Sequence, residues 1–262
     1  MRRITLEVAD PTALDVKPGG DSAVGVYFPP IAADGINRVE PDSDTNGRNY
    51  SVRRHVGDRI DLDVVLHARG PGTAWASTAQ PGDRVGLDHA RSWYQPEPTT
   101  DWQLLVIDLA GLPATARIIE ELPAGRSATA LVEVSEAADL DYLPSHPDVC
   151  VVPSIGTGNG HGPSQLARLV REFTWPEGRG YCWFAGEAAE SRLVRKHFRG
   201  LGWTVDQLDV TGYWRFDSER WDAKYALVSD AIEAVYVEAL AAGKGPKVAD
   251  EEYDEALERA GL

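Results

Sequence analysis

Gln95-Pro-Glu-Pro-Thr-Thr-Asp-Trp-Gln-Leu-Leu-Val-Ile-Asp-Leu-Ala-Gly-Leu-Pro113 decides the fold. Its first six residues carry two prolines and no apolar run, so they read as a linker. Gln103 to Ile107 is apolar enough for a strand buried on both faces, and Pro113 stands where a helix opens, its missing N–H costing nothing there. The same rhythm continues downstream. Strands are expected at Thr129–Val134, Asp148–Val152, Tyr181–Ala185 and near Gln207–Val210. Helices are expected from Pro163 and up to about Arg199. Leu112, Ala116, Ile119 and Leu122 share one helical face, and Val194, Phe198 and Leu201 share another. Strands alternating with helices imply a parallel sheet covered by helices.

Upstream of the linker the segments are short and alternate. Arg3–Val8, Ala23–Phe28, Asn49–Arg54 and Ile60–His67 read as strands, with Ile60, Leu62, Val64 and Leu66 on one face. Turns at Pro18-Gly-Gly-Asp21, Gly57-Asp58 and Pro81-Gly-Asp83 separate them, which suits a small antiparallel β-barrel whose main helix is Thr73–Ala79. Downstream, Ala223–Ala242 and Asp250–Ala260 keep helical period on either side of Gly243-Lys-Gly-Pro246. The expected organisation is a barrel over 1–96, a parallel-sheet α/β domain over 101–222 and a C-terminal helical extension over 223–262.

Charge and composition narrow the function. The 262 residues carry 41 acids against 26 Lys plus Arg, a net charge of −15 that repels a phosphate backbone, so nucleic acid is not an expected partner. The longest apolar candidate, Leu104 to Leu112, is broken by Asp108, and Met1-Arg-Arg-Ile-Thr lacks a signal segment. A cytoplasmic monomer without stable membrane insertion is expected. The two cysteines, Cys150 and Cys182, read as small buried hydrophobes. His67 and His161 have no partners at ligand spacing, so no protein metal site is expected. Gly156-Thr-Gly-Asn-Gly-His-Gly162 follows a strand and precedes a helix, but its glycines miss the dinucleotide fingerprint spacing and no Gly-Lys-Ser/Thr follows. It reads as a flexible loop near a nucleotide.

Two motifs remain. Arg48-Asn-Tyr-Ser-Val-Arg53 lies on a barrel strand, where alternation sends Arg48, Tyr50 and Val52 to one side and Asn49, Ser51 and Arg53 to the other. In His67-Ala-Arg-Gly-Pro-Gly-Thr-Ala-Trp75, glycines permit close backbone approach and Thr73 stands at a helix start suited to phosphate. In this order the two motifs resemble the Arg-x-Tyr-Thr/Ser strand and Gly-Pro turn of the siderophore-interacting protein family. These are flavoproteins of the ferredoxin-reductase superfamily that reduce ferric siderophores. The resemblance extends through Arg84-Val-Gly-Leu, Leu104 to Ala114, Trp183-Phe-Ala-Gly-Glu-Ala188 and Gly212-Tyr-Trp-Arg215.

The resemblance implies a flavin-binding barrel followed by a nucleotide-binding sheet, with FAD as cofactor and NADH or NADPH as electron donor. Arg48 would sit against the FAD phosphates, Tyr50 would stack on the ring and Ser51 would hydrogen-bond its edge. His67, Gly72 and Thr73 would wrap the pyrophosphate, with Val65, Ala74 and Trp75 also against the cofactor. Asp108 and the Leu112-Pro113-Ala114 turn would lie beside the nicotinamide, with Gly186, Glu187 and Trp214 closing the cleft. Arg53, Arg54, His55 and Arg215 are the candidate siderophore-binding residues. Rival readings are a reductase fed by a ferredoxin and a siderophore-binding module without catalytic flavin. Where the family commonly has Gly-Asp-Glu-Thr-Ala-Leu-Pro, this chain has Ile107-Asp-Leu-Ala-Gly-Leu-Pro113, which predicts weakened nicotinamide affinity. The chain begins at what resembles the family's second segment, so the opening barrel strand is expected to be absent, replaced or lost from the start. Glu136, after the strand Thr129–Val134, favours a free ribose hydroxyl and therefore NADH, while Arg126 before that strand could swing over to a 2′-phosphate.

Overall fold

The computed structural model describes residues 1–28, 47–67, 70–216 and 218–262. Two five-stranded sheets lie one after the other along the chain. The first holds β1 (Arg2–Glu7), β2 (Ala23–Tyr27), β3 (Gly47–Val56), β4 (Arg59–Val64) and β5 (Gly86–Arg91), in the order β1-β4-β3-β2-β5. All its pairings are antiparallel. Helices α1 (Pro11–Leu14) and α2 (Pro71–Thr78) accompany it. Its core is Val24, Val26, Phe28, Val52, Ile60 and Leu62, which is what period-two alternation with one buried face produces. Leu66 departs from the expected pattern: β4 ends at Val64, and Leu66 is exposed past the strand. Ala68 and Arg69 of the expected phosphate turn lie outside the described residues.

The second sheet is wholly parallel, in the order β10-β9-β6-β7-β8. Its strands are β6 (Trp102–Ile107), β7 (Ser127–Val134), β8 (Val149–Ile155), β9 (Gly180–Glu187) and β10 (Leu208–Trp214). Helices α3 (Leu112–Glu121), α4 (Leu166–Glu172) and α5 (Ala188–Gly200) connect them. Every residue of β6 is buried, as a central strand covered on both faces requires. Leu105, Ile107 and Trp183 pack under α3, while Leu104, Val106 and Phe184 pack under α4 and α5. The face Leu112, Ala116, Ile119, Leu122 is buried as its spacing predicts. Leu201 is exposed, because α5 has already ended. Helix α4 opens at Leu166 rather than at Pro163, since the residues between them finish the preceding loop. Cys182 is buried but Cys150 is exposed, because β8 is the edge strand of its sheet.

The expected continuous helix Ala223–Ala242 is two helices, α6 (Ser218–Tyr225) and α7 (Ser229–Ala241), followed by α8 (Pro246–Arg259). The break carries no Pro or Gly. Tyr225, stacked on Trp221 one turn earlier at 4.8 Å, is tied to the helices beyond the break, its hydroxyl accepting from that of Tyr253 on α8 and donating to Glu233 on α7. Helix α8 is tied to α5 by the pairs Arg195–Asp254, Lys196–Glu258 and Arg199–Glu251. Among the described residues no helix is long and apolar enough to cross a membrane.

The two sheets are joined by polar contacts. Arg53 makes a two-point ion pair with Glu120 on α3 at 2.6–2.7 Å, and Arg117 donates to the Val52 carbonyl. Asp21 is fully buried between the halves and accepts from Ser92 Oγ, the Trp93 and Tyr94 amides and Trp183 Nε1. Gly20 lets α3 approach, since a Cβ there would stand 2.5 Å from Ile118 Cγ1.

Candidate functional site

The order of the parallel sheet fixes where a ligand would lie. From β6 the chain moves outward through β7 to β8, then returns to β9 on the opposite side of β6. The direction of winding therefore reverses between β6 and β9, and the crevice beyond their carboxyl ends is the natural ligand position. Asp108 follows β6 there, and Gly186 and Glu187 end β9. Asp108 is buried, accepts from Trp214 Nε1 at 2.6 Å and from the Ala110 amide at 2.9 Å, and so clamps the end of β10 to the start of α3. A Cβ on Gly186 would come within 3.0 Å of its Oδ2, so only glycine leaves the carboxyl its place.

Burial pushes the Asp108 pKa up to about 7, partly offset by the Trp214 and Ala110 hydrogen bonds. Between about pH 4 and 7 the folded protein then holds a proton that the unfolded chain releases, so this group's contribution to stability falls as pH rises through that window and is level above it. Asp108→Asn is expected to remove roughly 3 kcal/mol of stability difference between pH 5 and pH 8. Urea unfolding of both proteins at the two pH values measures it. Parallel pH dependences would contradict the assignment.

Carboxylates organise the rest of this edge. Glu187 caps α5, accepting from Ala189 and Glu190 amides. Buried Glu133 accepts from Thr157 Oγ1 and from the Gln165 amide. Glu190 accepts from Ala167 N, and its own pKa is raised by burial. Helices α4 and α5 thus begin on the protein's own acids. In contrast, α3 begins at Gly111 and α2 at Gly70 with no capping side chain. The loop Gly156–Gly162 lies at this edge, where Asn159 accepts from Leu109 N, donates to the Glu133 carbonyl, and sits at φ 55°.

Strand β3 presents the first motif to two neighbours. Tyr50 points toward α2, edge-on to Phe28 at 6.3 Å, while Trp75 lies 5.0 Å from Phe28. The Tyr50 hydroxyl lies against Gly72, where a Cβ would overlap it and stand 3.2 Å from Cζ. Burial raises the Tyr50 pKa to about 12. Thr73 Oγ1 accepts from the His67 amide at 3.3 Å and donates to the Val65 carbonyl, closing the turn. Ala74 and His67 are exposed beside it. On the other side of β3, Ser51 Oγ is buried beside the Tyr213 hydroxyl of β10, and among the described residues neither meets any other hydrogen-bond partner. Tyr50 and Ser51 therefore point to opposite sides of β3. A buried pair of hydroxyls and the uncapped, glycine-led start of α2 are groups that a bound ring edge and a pyrophosphate would use.

The basic candidates separate. Arg48 is exposed, and among the described residues it donates to the Gly47 carbonyl. Arg54 and His55 are exposed at the far end of β3, His55 Nε2 meeting the Gly57 carbonyl. Arg53 is committed to Glu120, so it serves the joint between the sheets and not an open anion surface. Arg215 stacks on Trp221 at 3.8 Å and lines a 240 Å³ pocket with Arg192 and Arg195. Arg126 is held at the start of β7 by the Thr100 and Pro98 carbonyls, an eight-residue strand, roughly 25 Å, away from the crevice. It cannot swing over. Sequence reasoning missed Asp21, Arg91 and the inward role of Glu133; none carries a motif. Among the described residues no three His, Cys, Asp or Glu side chains come together as a metal site.

Residues 1–91 match the family described as Siderophore-interacting FAD-binding domain, and residues 100–217 the one described as Siderophore-interacting protein. A siderophore utilization protein from T. fusca is 31% identical, with TM-score 0.69 over 82% of this chain and 87% of that one. The chain belongs to the siderophore-interacting protein family. Two curated members of similar sequence are the ferric vibriobactin reductase ViuB of Vibrio cholerae, 26% identical over 81% of this chain and 83% of its own, and an NADPH-dependent ferric-chelate reductase of Escherichia coli, 25% identical over 63% of each. An antiparallel sheet followed by a parallel one is the fold this family membership predicts.

Proposed function

We propose that the chain binds FAD between its two sheets and uses electrons from a nicotinamide dinucleotide to reduce ferric siderophores, releasing Fe(II) in the cytoplasm. The observation that carries this reading is the neighbouring pair on β3 of Tyr50, packed on Gly72 at the start of α2, and buried Ser51, beside Tyr213 at the end of β10. Bound flavin supplies the ability to accept two electrons as hydride and pass them on singly, which iron requires. The protein aligns and shields. Arg48 and the uncapped start of α2 hold the pyrophosphate, Tyr50 the ring face and Ser51 its polar edge. Asp108, Gly186, Glu187 and Trp214 set the width of the crevice that receives the nicotinamide. The functional division is residues 1–96 for the flavin, 101–222 for the nucleotide and 223–262 as an extension.

Ferric iron held by hard oxygen donors is released on reduction because the ion loses charge. With a net charge of −15, the protein attracts an anionic chelate only through local cations, of which Arg54, His55 and Arg215 remain. NADH is the expected donor: Glu136 is exposed at the end of β7, and Arg126 is fixed elsewhere. The departure at Ile107 to Gly111 keeps its helix start, since Gly111 approaches the Ala185 carbonyl as closely as only glycine can. Anaerobic mixing with matched NADH and NADPH tests the donor. Faster bleaching of the flavin by NADH is expected. A clear NADPH preference would contradict the Glu136 argument, and bleaching only by a reduced ferredoxin would replace the nicotinamide.

A further inference from the structure

A bulge on β5 places an uncompensated arginine in the row of Ser51. Gly25 pairs with Asp88, so a regular ladder would bring Ala90 opposite Ala23; instead the register slips by one residue and Ala23 pairs with Arg91. His89, at φ 54°, makes the slip. One extra residue re-aims every side chain beyond it to the opposite face. Ala23 also pairs with Ser51, so Arg91, Ala23 and Ser51 form one cross-strand row on the face turned away from the core. Arg91 and Ser51 stand two strand spacings apart, about 10 Å, with only an alanine methyl between them. Tyr213 of β10 reaches this row from the other sheet: it lies beside Ser51 and in the field of Arg91.

Among the described residues, Arg91 Nε is buried without a partner, and Ser51 Oγ and Tyr213 Oη meet nothing but each other. Arg91 rests over the Trp93 ring at 5.2 Å, and among the described residues no carboxylate pairs with it. The titratable groups that bear on it most are the hydroxyls of Tyr27 and Tyr213, while nearby Asp21 is engaged by its own four donors. Burial holds the Arg91 pKa below the ordinary arginine value. A half-buried cation beside two hydroxyls that meet only each other, brought together by a bulge, lacks a component of opposite charge among the described residues.

We propose that Arg91, with Ser51 and Tyr213, forms the polar end of the flavin-ring site, and that its charge holds the negative charge the ring acquires on reduction. The inference rests on the flavin reading above. Hydride from a nicotinamide brings two electrons and one proton, so a neutral oxidised ring becomes a reduced ring with one net negative charge, and the nicotinamide is oxidised. Arg91 therefore favours the reduced ring over the oxidised one. It acts as an electrostatic positioning group and exchanges no proton.

The test uses full-length protein freed of flavin and reloaded with FAD, as wild type, Arg91→Met and Arg91→Lys. Affinity for oxidised FAD is read from fluorescence quenching, and the midpoint potential from anaerobic titration against a reference dye. Arg91→Met is expected to weaken binding of reduced flavin about tenfold more than of oxidised flavin, a fall of about 30 mV in the two-electron midpoint. Arg91→Lys, which keeps the charge, should recover most of that shift. An unchanged midpoint in Arg91→Met, or equal losses for both oxidation states, overturns the inference. If Arg91→Met does not fold, Arg91→Gln is read by the same two criteria. Wild-type protein that takes up no flavin contradicts the functional reading itself, and this outcome is visible before any variant is made.

Discussion

Asp21→Ala is expected to lower the unfolding free energy by about 3–5 kcal/mol, among the largest effects of any single change in this chain. The carboxylate is fully buried and answers four donors drawn from both halves: Ser92 Oγ, the Trp93 and Tyr94 amides and Trp183 Nε1. Alanine leaves all four without an acceptor in a site that water does not reach, and an unsatisfied buried donor costs far more than a made bond contributes. Asp21→Asn keeps one carbonyl oxygen and should lose less. Urea denaturation followed by tryptophan emission measures both variants. A loss under about 1 kcal/mol for alanine would mean that the joint between the sheets is held by Arg53–Glu120 and apolar contacts instead.

The second large effect is on the cofactor. Gly72→Ala should reduce FAD affinity by a factor of ten or more, about 1.4 kcal/mol, with its helix-propensity gain offset by the new contact. The residue lies inside α2, where alanine is intrinsically favoured over glycine. The new Cβ would overlap the Tyr50 hydroxyl, and a rigid phenol cannot yield without turning its ring out of place. Removing that hydroxyl relieves the clash, because the remaining Cβ to Cζ distance is 3.2 Å. Tyr50→Phe combined with Gly72→Ala should therefore recover much of the affinity that Gly72→Ala alone loses, a coupling that a double-mutant cycle reads directly. Purely additive losses would show that Gly72 serves the helix and not the placement of Tyr50.

Segments governed by one period were legible in the sequence. Strand β6 and the buried face of α3 follow from apolar spacing alone, as does the alternation of Tyr50 and Ser51 across β3. What stayed hidden depends on partners distant in the chain. Arg53 looked like an open cation until Glu120, 67 residues away, was brought against it. Arg126 looked able to reach the nucleotide, but two carbonyls of the linker hold it at the wrong end of β7. The break at Ala226–Val228 carries no Pro or Gly, and the contacts beside it, from the Tyr225 hydroxyl to Tyr253 and Glu233, come from residues further along the chain. Arg91 could not be found by alternation, because the bulge at His89 reverses the parity on which alternation relies. The site motifs were visible through family resemblance, whereas the acids that organise the crevice edge, Glu133 above all, looked like ordinary strand-end residues.

The most direct test of flavin-dependent siderophore reduction is a single anaerobic mixing experiment. FAD-loaded protein is reduced with one equivalent of NADH, then mixed with a ferric siderophore in the presence of a chromogenic chelator specific for Fe(II). The account predicts that flavin absorbance returns as the Fe(II) complex appears, with two irons reduced for each flavin reoxidised. Reduced protein that binds the ferric chelate but stays bleached and yields no Fe(II) would contradict it.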